Sequence, residues 1–211
     1  NSPVEIEFAM TFDPCRFRFL QVRTMEAPIR ETPIDVRALQ GEDILLSTDS
    51  ALGNGVTETL SDIVYTKPEA FDLKHTSAMV PELAQLNRTL LAAGRGYVLI
   101  VLGRLGTTDP WLGIPINWGR ISGARVVVEA TESNVRVELS QGSHFFHNLV
   151  SQSVKYFTLS LSSEHVIDWE WLGQLDAFEE TRFFRHVRLP RPLVVRVDGR
   201  SSRGVILKPR G

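Results

Sequence analysis

The sequence has one cysteine and no long hydrophobic run. Cys15 cannot form an internal disulfide, which favours a reducing compartment and predicts a cytoplasmic location. No apolar run approaches the roughly 20 residues of a membrane-spanning helix, and no N-terminal stretch has the features of a signal peptide. No repeat or low-complexity tract is visible. We therefore expect neither a membrane partner nor a repeat architecture.

The composition is typical of a globular protein. The 211 residues are 43% hydrophobic and 23% charged, and a chain of this length can bury a core without a metal or a disulfide.

The net charge of −2 is unevenly distributed along the chain. Residues 181–211 contain eight arginines and one lysine against one aspartate, a net charge of +8, which leaves −10 for residues 1–180. A basic segment can bind nucleic acid. These arginines alternate with apolar residues, however, as on the solvent face of antiparallel strands, and they could also face the acidic remainder of the chain. Nucleic-acid binding is disfavoured because no recognised binding motif accompanies the charge.

Two alternating segments begin the chain. Residues 3–10 place apolar side chains at every second position, and residues 16–23 alternate again after a turn at residues 12–15. The two segments predict a β-hairpin. Its polar positions include Glu7, Gln21 and Arg23.

The sequence of this hairpin resembles that of a known family. Glu-Ile-Glu-Phe-Ala, a turn and Phe-Leu-Gln-Val-Arg resemble the end of the ATP-binding domain of the phosphoenolpyruvate synthase and pyruvate phosphate dikinase family. The resemblance implies that Glu7 and Gln21 help to hold Mg-ATP and that Arg23 contacts phosphate. Oxygen ligands suit Mg²⁺, and a planar guanidinium suits phosphate.

Other parts of that family are missing from this sequence. Its phosphocarrier segment, Gly-Gly followed by Thr-Ser-His, is absent, and so is its barrel domain for phosphoenolpyruvate. We therefore expect a C-terminal piece of a longer ATP-dependent phosphotransferase that is not active alone. Whether the chain counts as an enzyme is left open.

A second resemblance covers residues 41–209. Gly-Arg-Leu-Gly at 103–106, Asp-Pro-Trp-Leu-Gly-Ile-Pro at 109–115 and Gln-Gly-Ser-His-Phe-Phe at 141–146 resemble the C-terminal extension of a bacterial subset of proteins related to phosphoenolpyruvate synthase. We expect a hairpin domain at residues 1–26, a linker at 27–42 and a C-terminal domain at 43–211.

The C-terminal region reads as strands with few helices. Met79, Leu83, Leu86 and Leu90 predict a helix over residues 77–93, capped by Thr76 or Ser77, with Pro81 near its first turn and its polar residues outward. Residues 97–102 predict a central strand, residues 125–130 and 134–139 a hairpin, and residues 144–151 a short helix. Further strands are expected at 44–48, 62–65, 114–118, 154–161, 183–189, 193–198 and 204–207. The fold class is α+β, a mixed and mostly antiparallel sheet with few helices, preceded by an N-terminal β-hairpin.

Two glycine-containing loops define a candidate ligand cleft. If loops 103–106 and 141–143 meet at one sheet edge, they bring together Arg104, Asp109, Trp111, Gln141, His144 and His147. Arg104 could bind phosphate or carboxylate, or could pair with Asp109 to hold its own loop. His144 and His147 could bind Zn²⁺ with Glu129 or Asp109. A hydrolase built on Ser143 and His147 is disfavoured because the sequence has no G-x-S-x-G elbow.

Three functions follow in order of preference. The first is an accessory C-terminal domain of the phosphotransferase described above, with Mg-ATP as cofactor and the upstream ATP-binding domain as partner. The second is a module that binds a small anionic ligand at the candidate cleft. The third is nucleic-acid binding through the arginine-rich C-terminal strands.

Overall fold

The structure, a computed structural model, describes residues 4–24, 33–35, 41–107, 111, 113–131, 145, 148–149, 151–160 and 167–209. The chain divides into two compact units, Asn1–Glu31 and Thr32–Gly211. Most of the linker predicted at residues 27–42 lies outside the described residues.

The first unit contains the predicted hairpin. Strand β1 (Val4–Phe12) pairs with β2 (Cys15–Thr24) in antiparallel register. The alternation of apolar and polar residues in both segments is the period of a pleated strand, and the prediction of an N-terminal hairpin is confirmed.

The second unit is built on a mixed sheet. Its strands are β3 (Ile44–Thr48), β4 (Ala51–Leu52), β5 (Gly55–Thr66), β6 (Tyr97–Leu102), β9 (Ala124–Thr131), β10 (Lys155–Ser160), β11 (Ala177–Glu180), β12 (Phe184–Asp198) and β13 (Arg203–Leu207). The strand order is β3-β13-β12-β5-β6-β9-β10-β4, and β11 also pairs with β12. Strands β7 (Arg104–Leu105) and β8 (Gly113–Ile114) form a separate short pair. The α+β class with a mixed, mostly antiparallel sheet is confirmed.

Parallel strands occupy the middle of this sheet. β5, β6, β9 and β10 lie side by side and run in the same direction. Every residue of β6 is buried, as predicted for a central strand covered on both faces. Helix α1 (Thr76–Ala92) covers one face, and helix α2 (Trp169–Gln174) packs on the other. Because the four strands run in the same direction, their carboxyl ends lie along one edge of the sheet.

Helix α1 follows the predicted periodicity but differs in detail. It buries Met79, Leu83, Leu86 and Leu90.

The predicted side-chain cap is wrong, because His75 occupies the N-cap without a side-chain hydrogen bond. Pro81 lies beyond the first turn, inside the helix, where its missing N–H removes one backbone bond. Asn87 does not face outward: it is buried, and its Oδ1 accepts hydrogen bonds from the Tyr97 hydroxyl at 3.1 Å and from Gly123 N–H at 2.9 Å.

Several strand predictions were wrong. Both edges of β9 are occupied by parallel neighbours, β6 and β10, so residues 125–130 have no edge left for the predicted hairpin. The predicted strand at 114–118 is only the short β8, followed by a 3-10 helix at Trp118–Arg120. The two strands expected around residue 190 are one strand, β12, whose register shifts between Arg188 and Leu193. Strands β4 and β11 were not predicted.

The arginine-rich end pairs with acidic residues of the same unit. Arg185 lies 3.8 Å from Glu180, and Arg188 lies 3.1 Å from Asp62. For these two arginines the internal alternative is therefore supported. Among the described residues, no helix is both long enough and apolar enough to cross a membrane.

Candidate functional site

The hairpin brings two of its predicted site residues face to face. Glu7 lies directly opposite Gln21, and Arg23 lies opposite Glu5 in the backbone register. Directly opposed residues of an antiparallel pair project from the same face. The exposed side chains of Glu7 and Gln21 therefore share one face of the hairpin, where their oxygen atoms could approach one metal ion.

The opposite face of the hairpin is apolar and exposed. The register shifts between Glu7 and Phe8, which leaves Leu20 of β2 without an opposite residue and sets Phe8 opposite Phe19. The Phe8 and Phe17 rings stack with their centroids 4.8 Å apart, and Phe17 meets Phe19 edge to face at 5.0 Å. The large apolar side chains that the hairpin exposes include Ile6, Phe8, Met10, Phe12, Phe17, Phe19, Leu20 and Val22. Contiguous exposed apolar surface of this kind marks an interaction face.

In the second unit, only Arg104 and Trp111 of the candidate cleft are described, and Arg104 lies beyond the carboxyl end of the parallel strand β6. Arg104 is the first residue of β7, separated from β6 by Gly103, and is half-buried, whereas Trp111 is exposed. In open sheets of parallel strands, ligands bind outside the carboxyl ends. Asp109, Gln141, His144 and His147 lie outside the described residues, so their place in this cleft stays a prediction.

A buried carboxylate fixes the loop after β6. Glu129, near the end of β9, accepts a hydrogen bond from Leu105 N–H at 2.9 Å and another from the Tyr156 hydroxyl at 2.6 Å. One side chain thus ties the Arg104 loop to β9 and β10. This arrangement gives Glu129 a structural role and occupies oxygen atoms that were candidates for a zinc ligand.

Phe145 packs against the first glycine loop at Gly106. Phe145 is helical and buried, and a Cβ atom added to Gly106 would lie only 2.7 Å from its Cγ. Gly106 also has a φ of +71°, which favours glycine. The segments that carry the two glycine motifs therefore meet at Gly106 and Phe145.

Three buried polar atoms near these strand ends have no hydrogen-bond partner within the part of the chain that the structure describes: Thr66 Oγ1, His75 Nδ1 and Thr131 Oγ1. Thr66 and Thr131 are the last residues of β5 and β9, and His75 lies between β5 and α1 with its ring 5.6 Å from that of Phe183. Buried polar atoms are normally hydrogen-bonded. Of the residues described, no group of three or more His, Cys, Asp or Glu side chains could hold a metal ion.

A second buried carboxylate, Asp62, lies at the other end of the parallel strands. It pairs in register with Tyr97, the first residue of β6. His186 Nε2 lies 2.8 Å from Asp62 Oδ1, Arg188 Nε 3.1 Å from the same oxygen, and Arg95 Nε 2.6 Å from Oδ2. Burial alone would raise the pKa of Asp62, but the hydrogen bonds from His186, Arg95 and Arg188 outweigh it and lower the pKa to about 2.

Sequence reasoning missed the Asp62 cluster, although a signal was present. Asp62 precedes the apolar residues Ile63 and Val64 within a strand, and an acidic residue in such a strand indicates a charge that is buried with partners. The partners themselves come from distant parts of the chain, so their identity could not be read locally.

No family model, curated protein or solved structure matches this chain.

Proposed function

We propose that this chain is the accessory C-terminal part of a cytoplasmic ATP-dependent phosphotransferase of the phosphoenolpyruvate synthase and pyruvate phosphate dikinase type. Its hairpin completes the Mg-ATP site of an upstream ATP-binding domain. The C-terminal domain has no catalytic activity of its own in this proposal.

The observation that carries the proposal is the pairing of Glu7 with Gln21. These are the two residues to which the resemblance assigns the metal–nucleotide complex, and the hairpin register sets them directly opposite one another. Arg23 follows two residues later on β2 and would supply the phosphate contact.

The apolar face of the hairpin supports a partner domain. An isolated two-stranded hairpin is marginally stable in water, and it gains stability by packing its apolar face on other structure. The exposed side chains of Phe8, Phe17 and Phe19 would be covered by the ATP-binding domain while Glu7 and Gln21 stay on the opposite, nucleotide-facing side.

The test is the Mg-ATP affinity of the full-length protein. Changing Glu7, Gln21 or Arg23 to Ala should each weaken binding about tenfold or more, because hydrogen bonds to charged groups contribute about 1.5–3 kcal/mol. Arg18→Ala is the matched control, since Arg18 is an exposed cation of the same strand that lies opposite Ala9. If all three variants bind Mg-ATP as tightly as the Arg18→Ala control, the assignment of the hairpin is wrong.

The second candidate, a small-anion module, is favoured by one feature of the carboxyl end. Arg104 stands between two glycines in a loop whose backbone is fixed by Glu129. A preorganised cation of this kind suits phosphate or carboxylate. Arg104→Ala should then abolish any thermal stabilisation by such an anion, and an unchanged melting shift would exclude this site.

A further inference from the structure

A separate cavity lies at the amino ends of the parallel strands. Its volume is about 360 Å³, within the usual range for small-molecule sites. Thr57 and Thr59 contribute from β5, Arg125 from β9 and Lys155 from β10, and Gly94, Gly96 and Ser153 also line it. The lining therefore combines two cations with several hydroxyl groups and contains no acidic residue.

Neither cation in the cavity is paired with a carboxylate among the described residues. Lys155 Nζ donates a hydrogen bond to Thr57 Oγ1 at 2.7 Å, and Arg125 donates to the carbonyl oxygen of Ser122 at 3.3 Å. The buried acid of this end, Asp62, is already bound by Arg95, Arg188 and His186 and does not line the cavity. Within the described ranges, these two positive charges therefore have no carboxylate partner.

The backbone before β6 lies close against the Arg125 side chain. A Cβ atom at Gly96 would lie 2.8 Å from Arg125 Cγ. Only glycine therefore allows the arginine stem to lie directly on the chain before β6. Burial lowers the pKa of Lys155, so the ammonium group has lost hydration that an anion would replace.

We propose that this cavity binds a small dianionic oxyanion, a phosphate group, between Arg125 and Lys155, with the hydroxyls of Thr57 and Thr59 as additional donors. Two cations match the double charge of phosphate better than the single charge of a carboxylate. The site shares no residue with the hairpin or with the candidate cleft, so the test of phosphate binding is independent of the proposed function.

The test is titration of the protein with inorganic phosphate at constant ionic strength, followed by calorimetry and by backbone amide NMR. The wild-type protein should bind phosphate saturably, with shifts at Gly94, Gly96 and Ser153. Glycerol 3-phosphate, titrated in parallel, distinguishes a site for a phosphate monoester from one for free phosphate, and acetate should bind more weakly than either.

Variants decide where phosphate binds. Lys155→Met and Arg125→Gln should each weaken phosphate binding about tenfold or more, whereas Lys155→Arg should keep most of it. Arg88→Gln is the matched control, because it removes an exposed cation of helix α1 that does not line the cavity and should leave phosphate binding unchanged. Arg125 is exposed, so Arg125→Gln remains decisive if Lys155→Met is unstable. Absence of saturable binding to the wild-type protein, or equal binding by Lys155→Met, Arg125→Gln and the control, would overturn the proposal.

Discussion

At the carboxyl ends of the parallel strands two threonine hydroxyls lack a hydrogen-bond partner among the described residues, whereas at the amino ends two cations lack a carboxylate partner among those residues. The two hydroxyls belong to Thr66 and Thr131, the last residues of β5 and β9, and both oxygen atoms are buried. Arg125 and Lys155 border an open cavity instead.

The two ends consequently suit different occupants. A neutral buried hydroxyl costs stability but attracts no ion, and it is satisfied by water or by a hydroxyl-bearing ligand. Cations beside an open cavity attract anions over a distance of about a Debye length, roughly 8 Å at physiological salt. Ligands of open parallel sheets usually bind at the carboxyl ends of the strands. The positive charges of Arg125 and Lys155 instead favour the amino ends as the site for an anion.

The largest expected effect tests whether the amino end depends on its internal countercharge. Asp62→Asn should lower the free energy of unfolding by about 3–5 kcal/mol, because it removes the charge of a buried carboxylate that is bound by His186, Arg95 and Arg188. Denaturant unfolding measures this loss.

Asp72→Asn is the control for Asp62→Asn. Asp72 pairs with Lys74 in an exposed setting, where solvent screens the charges, so Asp72→Asn should change the free energy of unfolding little. Equal losses in the two variants would mean that the Asp62 cluster is no more than a surface pair.

The next effect tests the packing of the carboxyl end. Gly106→Ala and Gly94→Ala both place a side chain at positive φ, +71° and +65°, which costs about 1–2 kcal/mol in each case. Only Gly106→Ala also meets the Phe145 ring, since nothing lies within 4 Å of a Cβ at Gly94. Gly106→Ala should therefore cost about 1–3 kcal/mol more.

Thermal unfolding of the two glycine variants gives that difference directly. Phe145→Leu in the Gly106→Ala background should recover part of it. Equal stabilities of Gly106→Ala and Gly94→Ala would show that the two glycine segments do not meet as described.

The pH dependence of stability should come more from the amino end. The pKa of Asp62 is lowered from 3.8 to about 2 in the folded protein. A lowered pKa gives stability that is complete above the unfolded value and is lost as pH falls through the folded value. Between pH 4 and pH 2, the wild type should lose about 2 kcal/mol more than Asp62→Asn. Parallel losses in the two proteins would contradict the shift.

The elements that could be predicted from the sequence are those with a clear local pattern of apolar residues. The alternation in β1 and β2, the spacing of Met79, Leu83, Leu86 and Leu90, and the apolar run of β6 each report the environment of a single element, and all three were read correctly. The apolar run in β9 carried the same signal as β6. It was misread because Thr131-Glu-Ser looked like a hairpin turn.

Long-range pairing explains what could not be predicted. Asp62 meets Arg95 33 residues away, and it meets His186 and Arg188 at separations of 124 and 126. Lys155 reaches Thr57 across 98 residues. Such contacts depend on the order of strands in the sheet, which no local period specifies. The predicted cleft, by contrast, was proposed from loops that follow strands, and only Arg104 and Trp111 of its six residues are described.

The smallest effect tests whether the carboxyl end truly lacks hydrogen-bond partners. Thr66→Val replaces the unpartnered hydroxyl by a methyl group of similar shape and should raise the free energy of unfolding by about 1 kcal/mol, because a desolvated donor is removed. Thr48→Val is the matched control. The Thr48 hydroxyl donates to the Thr158 carbonyl at 2.6 Å and accepts from Ser50 N–H at 3.0 Å, so its loss should destabilise the protein by about 1–3 kcal/mol.

The sign of the Thr66→Val effect on the free energy of unfolding decides between the two cases, because Thr66→Val and Thr48→Val each remove a threonine hydroxyl from a buried strand end. Opposite signs for Thr66→Val and Thr48→Val in denaturant unfolding mean that the carboxyl end holds an unsatisfied hydroxyl, open to water or to a ligand with a hydroxyl group. The same sign means that Thr66 already has a partner in solution. In that case the carboxyl end is as well satisfied as any other strand end, and the cationic cavity at Arg125 and Lys155 becomes the stronger of the two candidates for a binding site in this sheet.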